Sequence, residues 1–213
     1  MLGLMMRDLM VQRKRLWVGL IYCILVPVFF KGMGQAALVV AMVAVAYMML
    51  LTAFAYDDKY KVDGTLISLP IKRETLVVVR YLEVPVLTLA AVLLYMLVTI
   101  VIKPWVPGMF PQGGLLPATG FLVASLMSGL YMPLIYRFGY VKARIFNMVI
   151  FLAFAMIPAF GLMLGNPEGG LSLPSWIANA SGGAVAAVLF IAAIMILTGS
   201  CLLSIRLYRK REF

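Results

Sequence analysis

A chain of 213 residues that is 64% hydrophobic and 12% charged, against about 45–50% apolar and about 25% charged in soluble domains, reads as one membrane domain with no soluble domain attached. Its formal net charge of +10 does not make it a nucleic-acid binder, because the cations stand beside apolar runs and not on one groove-sized face. The absence of histidine excludes zinc-protease helices and every imidazole-based catalytic arrangement, and no Gly-x-x-x-x-Gly-Lys-Ser/Thr is present to cradle nucleotide phosphates.

In chain order, Leu2, Met5, Met6, Leu9 and Met10 recur at helical spacing while Arg7, Asp8 and Arg13 lie off that stripe or at its edge. Residues 1–15 therefore predict a short helix lying in the membrane interface. The first span is placed at Leu16–Phe30; it is short, and reaches Gly34 if Lys31 snorkels outward. A basic start and a short apolar run also fit a signal peptide, but Gly32-Met33-Gly34 is a poor cleavage site, and the span pairs as a hairpin with the second, Gln35–Tyr56. Residues 57–80 form the longest charged stretch, where the apolar patch Leu66, Ile67 and Leu69 is framed by charges of both signs. Such a surface suits protein docking better than a plain connector, and Pro70 opens a helix expected to run straight into the third span.

The remaining spans are placed at Tyr81–Ile102, Leu115–Tyr136, Ile145–Leu164 and Gly183–Ile205, each 20 to 23 residues, about 30–35 Å at 1.5 Å per residue, which matches a hydrocarbon core of about 30 Å. Pro27, Pro85, Pro133 and Pro158 each free a backbone carbonyl inside a span, so a neighbouring helix or a watered cavity must satisfy it. Ser125-x-x-x-Gly129, Gly161-x-x-x-Gly165 and Gly183-x-x-x-Ala187 read as close helix contacts. Cys23 and Cys201 fall inside spans and read as packing residues. Glu83 is the one charge clearly within a span boundary; one turn beyond Arg80, it predicts an interfacial i,i+3 pair. The loops Pro104–Pro117 and Gly165–Gly182 are rich in Gly and Pro and carry a single charge, Glu168.

All but two of the 18 Lys and Arg residues lie in four segments: before span one, between spans two and three, between spans four and five, and after span six. Only Lys31 and Lys103 remain for the other side. Basic side chains are retained on the cytoplasmic side, so the expected fold is an all-α integral membrane protein of six transmembrane helices with both termini inside. The blocks are 1–15 interfacial helix, 16–56 spans one and two, 57–80 inner segment, 81–136 spans three and four, and 145–205 spans five and six, all within the single domain 1–213.

Two inner stretches carry a resemblance. Asp57-Asp58, then Ser68-Leu69-Pro70-Ile71-Lys72-Arg73 followed by Leu76-Val77 and Arg80-Tyr81, is similar to the cytoplasmic signature of the small type-2 ABC exporter permeases. Pro133-Leu134-Ile135-Tyr136-Arg137-Phe138-Gly139-Tyr140-Val141-Lys142-Ala143-Arg144 is a second matching stretch, and the N-terminal basic helix, span number and length extend the likeness to the whole chain. Lys72 departs from the pattern, since many relatives have a helix-capping Ser or Thr there.

The resemblance implies a permease subunit, not an enzyme, in a bacterial cytoplasmic membrane. It would work as a dimer with a second permease copy, each bound to a separate ABC-type ATPase that holds the ATP and Mg; no cofactor or metal is expected in this chain. A coupling helix between spans two and three would dock on the ATPase, which by position assigns docking to Asp57, Asp58, Lys59, Asp63, Leu66, Ser68, Leu69, Pro70 and Arg73. The group resembles exporters of amphipathic peptides, phenol-soluble modulins and bacteriocins among them, and of drugs or lipids. Sixteen methionines and nearly uncharged spans favour an amphipathic peptide or other hydrophobic cargo. The alternatives are the substrate-binding membrane subunit of a vitamin-type importer and a small lipid-modifying enzyme, whose polar groups could come only from Asp57, Asp58, Asp63 and Ser68.

Overall fold

A computed structural model describes residues 31–60, 73–102, 113–164 and 181–209, together with 17, 19, 21–26 and 29 before them; at 31–33, 73, 102 and 154–164 the backbone alone is described. The interfacial helix expected at 1–15, positions 61–72 and most of the Gly- and Pro-rich stretches Pro104–Pro117 and Gly165–Gly182 lie outside the described residues. After a 3-10 turn at Lys31–Ala36 come α1 (Ala37–Lys59), α2 (Arg73–Ile102), α3 (Leu115–Phe138), α4 (Tyr140–Leu164) and α5 (Gly182–Arg209). Four stretches among the described residues are long and apolar enough to cross a membrane: Gly34–Lys59, Glu74–Val101, Leu115–Phe138 and Gly182–Arg209. They coincide with expected spans two, three, four and six. α4 occupies the place of the fifth, and the first is seen only as helical backbone at 21–26 and isolated positions around it.

One boundary follows the expectation and one departs from it. α2 is one continuous helix of 30 residues from Arg73 to Ile102, as expected of a helix that runs straight into the third span, so its charged start is a direct extension of the span. About 20 residues suffice to cross the hydrocarbon, and counting back from Ile102 places Glu83 and Arg80 at one interface. The connection expected across 137–144 is also helical except at Gly139, whose φ of 77° breaks α3 from α4. Its N–H donates to the Ile135 carbonyl at 2.8 Å and its carbonyl accepts from Ala143 N–H at 3.1 Å, so both helices use the same residue as their cap. A side chain at this φ would be strained, which explains a glycine there.

α3 is the central helix: 67% of its span is buried, against 11% for α5. It packs most extensively on α5 and next on α1, with α2 against α1 and α4 against α3. Gly120 lets α1 approach closely, because a Cβ there would stand 2.6 Å from Met42 Sδ. Gly129 does the same for α5, where a Cβ would meet Ile196 Cγ2 at 3.3 Å, as the Ser125-x-x-x-Gly129 spacing predicts. Gly183-x-x-x-Ala187 does not pack in this way: both residues are exposed, and a Cβ on Gly183 would meet nothing among the described residues. Gly165 of the third small-residue spacing lies outside those residues.

Tyr95, Tyr131, Leu38, Met42, Leu50 and Met132 are the largest fully buried side chains. Tyr47 of α1 donates its hydroxyl to Asn147 Oδ1 of α4 and meets the Tyr131 ring edge-on at 6.0 Å. Cys23 and Cys201 are free thiols, the first buried and the second half-buried. Among the described residues, Ser125 Oγ and Tyr131 Oη are buried with no hydrogen-bond partner.

Candidate functional site

The inner segment joins the bundle at a buried ion cluster. Arg80 and Glu83 are 6% and 5% exposed, on successive turns of α2, and the Arg80 Nη1 donates to Glu83 Oε1 and Oε2 at 3.1 and 3.0 Å. This is the i,i+3 pair that the sequence spacing predicts. The same guanidinium reaches back through Nη2 to the Asp57 carboxylate at the end of α1, which the sequence did not reveal. Its carbon also stands 5.3 Å from the centre of the Phe54 ring, one turn before Asp57. Arg suits the position because its rigid fork engages two carboxylates at once, which an ammonium group cannot do with the same geometry.

Aromatic rings from three helices pack beside the cluster. Tyr136 of α3 meets Phe54 of α1 edge-on at 6.1 Å and Tyr208 of α5 at 5.2 Å. Pairing and burial reinforce each other here. Removing one member of a buried ion pair typically costs about 3–5 kcal/mol, because the partner is left desolvated.

One residue along from Arg80, Tyr81 starts a polar path into α5 and α3. Its hydroxyl lies 2.7 Å from both Ser200 Oγ and Ser204 Oγ. Ser200 in turn donates to the Gly129 carbonyl at 2.6 Å. Gly129 is four residues before Pro133, so it is the carbonyl deprived of its helical donor by that proline. The sequence predicts that a neighbour must satisfy it, and Ser200 is that neighbour. A proton count orders the chain: Ser200 has one hydroxyl hydrogen and gives it to Gly129, so Tyr81 donates to Ser200, and Ser204 donates to Tyr81.

Outside this buried knot, the exposed pair Arg209–Glu74 joins the last turn of α5 to the first turn of α2. At the end of α1, Tyr56 and Tyr60 stack at 5.9 Å, with Lys59 Nζ 5.6 Å over the Tyr60 ring. On α3, Arg137 lies 5.1 Å over Phe138, which stacks on Phe146 of α4. The ends of α1, α3 and α5 and the starts of α2 and α4 thus gather at one end of the bundle, and the basic residues gather there with them.

Of the predicted docking residues, Asp57 is half-buried and turned to Arg80, while Asp58 and Lys59 are exposed. Arg73 opens α2; Asp63, Leu66, Ser68, Leu69 and Pro70 lie outside the described residues. Arg80, Tyr81, Ser200 and Ser204 were not singled out as site residues. Arg80 was signalled by its three-residue spacing to Glu83, and Ser200 by the need for a donor opposite a mid-span proline. Among the described residues, no group of His, Cys, Asp and Glu could hold a metal ion.

Among the described residues this arrangement pairs no nucleophile with a base; its bonds tie the end of α1 to α2, and α2 to α5 and through Ser200 to α3. A family model described as ABC-2 family transporter protein matches residues 3–209. No curated protein and no solved structure matches the chain.

Proposed function

The chain belongs to the ABC-2 transporter family, and from that premise we propose that it is an exporter permease whose Asp57–Arg80 contact couples a partner ATPase to the spans. As a family member it is a membrane permease, a transport subunit without a catalytic domain, and membership implies an ABC ATPase as partner. The finer reading is ours: two permease copies in a bacterial cytoplasmic membrane, the basic ends of the helices inside, and residues 57–73 docked on the ATPase that holds ATP and Mg.

The observation that carries the coupling reading is the cluster of Asp57, Arg80 and Glu83. Asp57 is the first residue of the docking region, and its carboxylate is bonded to a buried cation on the next span. Displacement of the segment is therefore borne by α2 and not absorbed in a loose connector. From α2 it passes to α5 through Tyr81 and through Glu74–Arg209, and to α3 through Ser200 at the carbonyl opposite Pro133. Proline-interrupted helices bend more readily there than elsewhere, so the motion is delivered where α3 can yield.

Apolar, methionine-rich spans support an amphipathic peptide or similarly hydrophobic cargo over a sugar or metal ion. The test is purification of the tagged chain from its host in mild detergent, with the eluate probed for an ABC ATPase. One ATPase per permease is expected, lost when Asp58, Lys59 and Arg73 are reversed in charge together. Undiminished co-elution of the triple reversal would place docking elsewhere on the chain.

A further inference from the structure

Among the described residues, bonds tie α2 to α5 at the end of the bundle that holds the ion cluster. The bonds are Tyr81 to Ser200 and Ser204, and Glu74 to Arg209. One turn beyond Tyr81 the two helices separate around a cavity of about 440 Å³. Pro85, Leu89 and Val92 form its α2 wall, Ala186 and Phe190 its α5 wall, and Phe121 of α3 stands behind. Phe121 and Phe190 are in ring contact at 5.0 Å, so an aromatic surface runs from the mouth of the cleft to its back.

The lining selects the occupant. Thr88 is its one hydroxyl, and it spends its hydrogen on the Val84 and Pro85 carbonyls of its own helix, both at 3.0 Å. No charged side chain is found among the described residues that line the cavity, so they offer a headgroup or a sugar no partner. Water is excluded by the same argument, since apolar cavities stay dry. A peptide helix about 10 Å across, rising 5.4 Å per turn, would fit for only about one turn. A cavity of about 150 Å³ takes a six-carbon ring, so this one takes on the order of fifteen carbons. Left empty, its walls would lose their dispersion contacts on one side.

Supply is immediate. α2 and α5 are both candidate spans, and Leu89 and Phe190 at the mouth are 62% and 49% exposed, so in a bilayer the cleft opens sideways onto lipid. We propose that this cleft is a binding site for one acyl chain of a membrane lipid, drawn from the leaflet away from the Arg80 cluster and lodged between α2 and α5. The occupied cleft holds the two helices apart above the Tyr81 knot. The site does not depend on what the transporter carries.

The full chain in phosphatidylcholine nanodiscs, doped with a phosphatidylcholine bearing a diazirine midway along one acyl chain, tests this by photolysis and peptide mapping. Phe121 is 5% exposed and Met42, also in the lining, 2%, so lipid that merely surrounds the protein cannot mark them. Label on the buried Phe121 and Met42 is expected to be at least as strong as that on the exposed α4 residues Met148 and Leu152. Ala186→Phe is expected to remove the cleft label and leave the α4 label in place. Label confined to exposed residues would overturn the proposal. So would a diazirine-bearing amphipathic peptide that marks Phe121 where the lipid does not. The wild-type map decides the matter even if the filled variant does not fold.

Discussion

Replacing Ser200 with alanine removes the hydroxyl hydrogen that, among the described residues, is directed at the Gly129 carbonyl, and Pro133 has no N–H to take its place. A buried acceptor left unmade costs about 1–3 kcal/mol in proteins at large, while measured inter-helix bonds in membranes average about 0.6 and reach about 1.7 kcal/mol. The contact is short, and Tyr81 keeps Ser204 as a partner, so S200A is expected to destabilise by about 1.5 kcal/mol. In a P133A background the residue at 133 regains an N–H that can satisfy Gly129. There S200A should cost about 0.5 kcal/mol, a coupling of about 1 kcal/mol between two residues on different helices. The assay is unfolding in mixed micelles followed by reactivity of the buried Cys23 thiol, with Cys201 replaced by alanine in all four proteins. Effects additive to within about 0.3 kcal/mol would refute the reasoning, because Ser200 would then not be filling the gap that Pro133 makes.

Three further outcomes are expected. Arg80→Met should lower stability by about 3–5 kcal/mol by stranding two carboxylates, whereas Arg209→Ala, which breaks an exposed pair, should change it by less than about 1 kcal/mol; the same unfolding assay compares them. Gly139→Ala should cost about 1 kcal/mol or more, because alanine is strained at φ 77°, and the loss should show as a lower thermal midpoint. Tyr131→Phe should leave stability unchanged or raise it, since the hydroxyl it removes has no partner among the described residues, whereas Tyr47→Phe, which loses its bond to Asn147, should lower it.

The helices were legible because apolar run length and the alternation of basic segments are properties of the chain itself. The four stretches among the described residues that are long and apolar enough to cross a membrane all fall on expected spans. Glu83 was legible as the partner of Arg80 for the same reason, since a three-residue spacing fixes a shared helix face. The helical start of α2 ahead of the span was foreseen from Pro70, although its first described residue is Arg73. The near-absence of a loop between α3 and α4 was not, because basic residues mark a membrane boundary without saying whether the chain there is helical. Contacts across long separations were also illegible. Nothing in the order of residues joins Asp57 to Arg80 or Ser200 to Gly129; those depend on which helices pack together. The proline at 133 stated the need for a donor but could not name it.

The account rests most heavily on the bond between Asp57 and Arg80, and Asp57→Asn tests it with little risk to folding because the buried Arg80 keeps Glu83 as its ion partner. Permease and ATPase would be reconstituted together in vesicles, and cargo efflux measured per ATP hydrolysed. Because the Asp57 carboxylate is turned inward to Arg80, the variant is predicted to keep the ATPase through Asp58, Lys59 and Arg73 and to hydrolyse ATP, with efflux per ATP reduced about tenfold, as expected for a coupling of about 1–3 kcal/mol. Wild-type efflux per ATP from a complex that assembles normally would contradict the claim that this contact transmits the ATPase's movement to the spans.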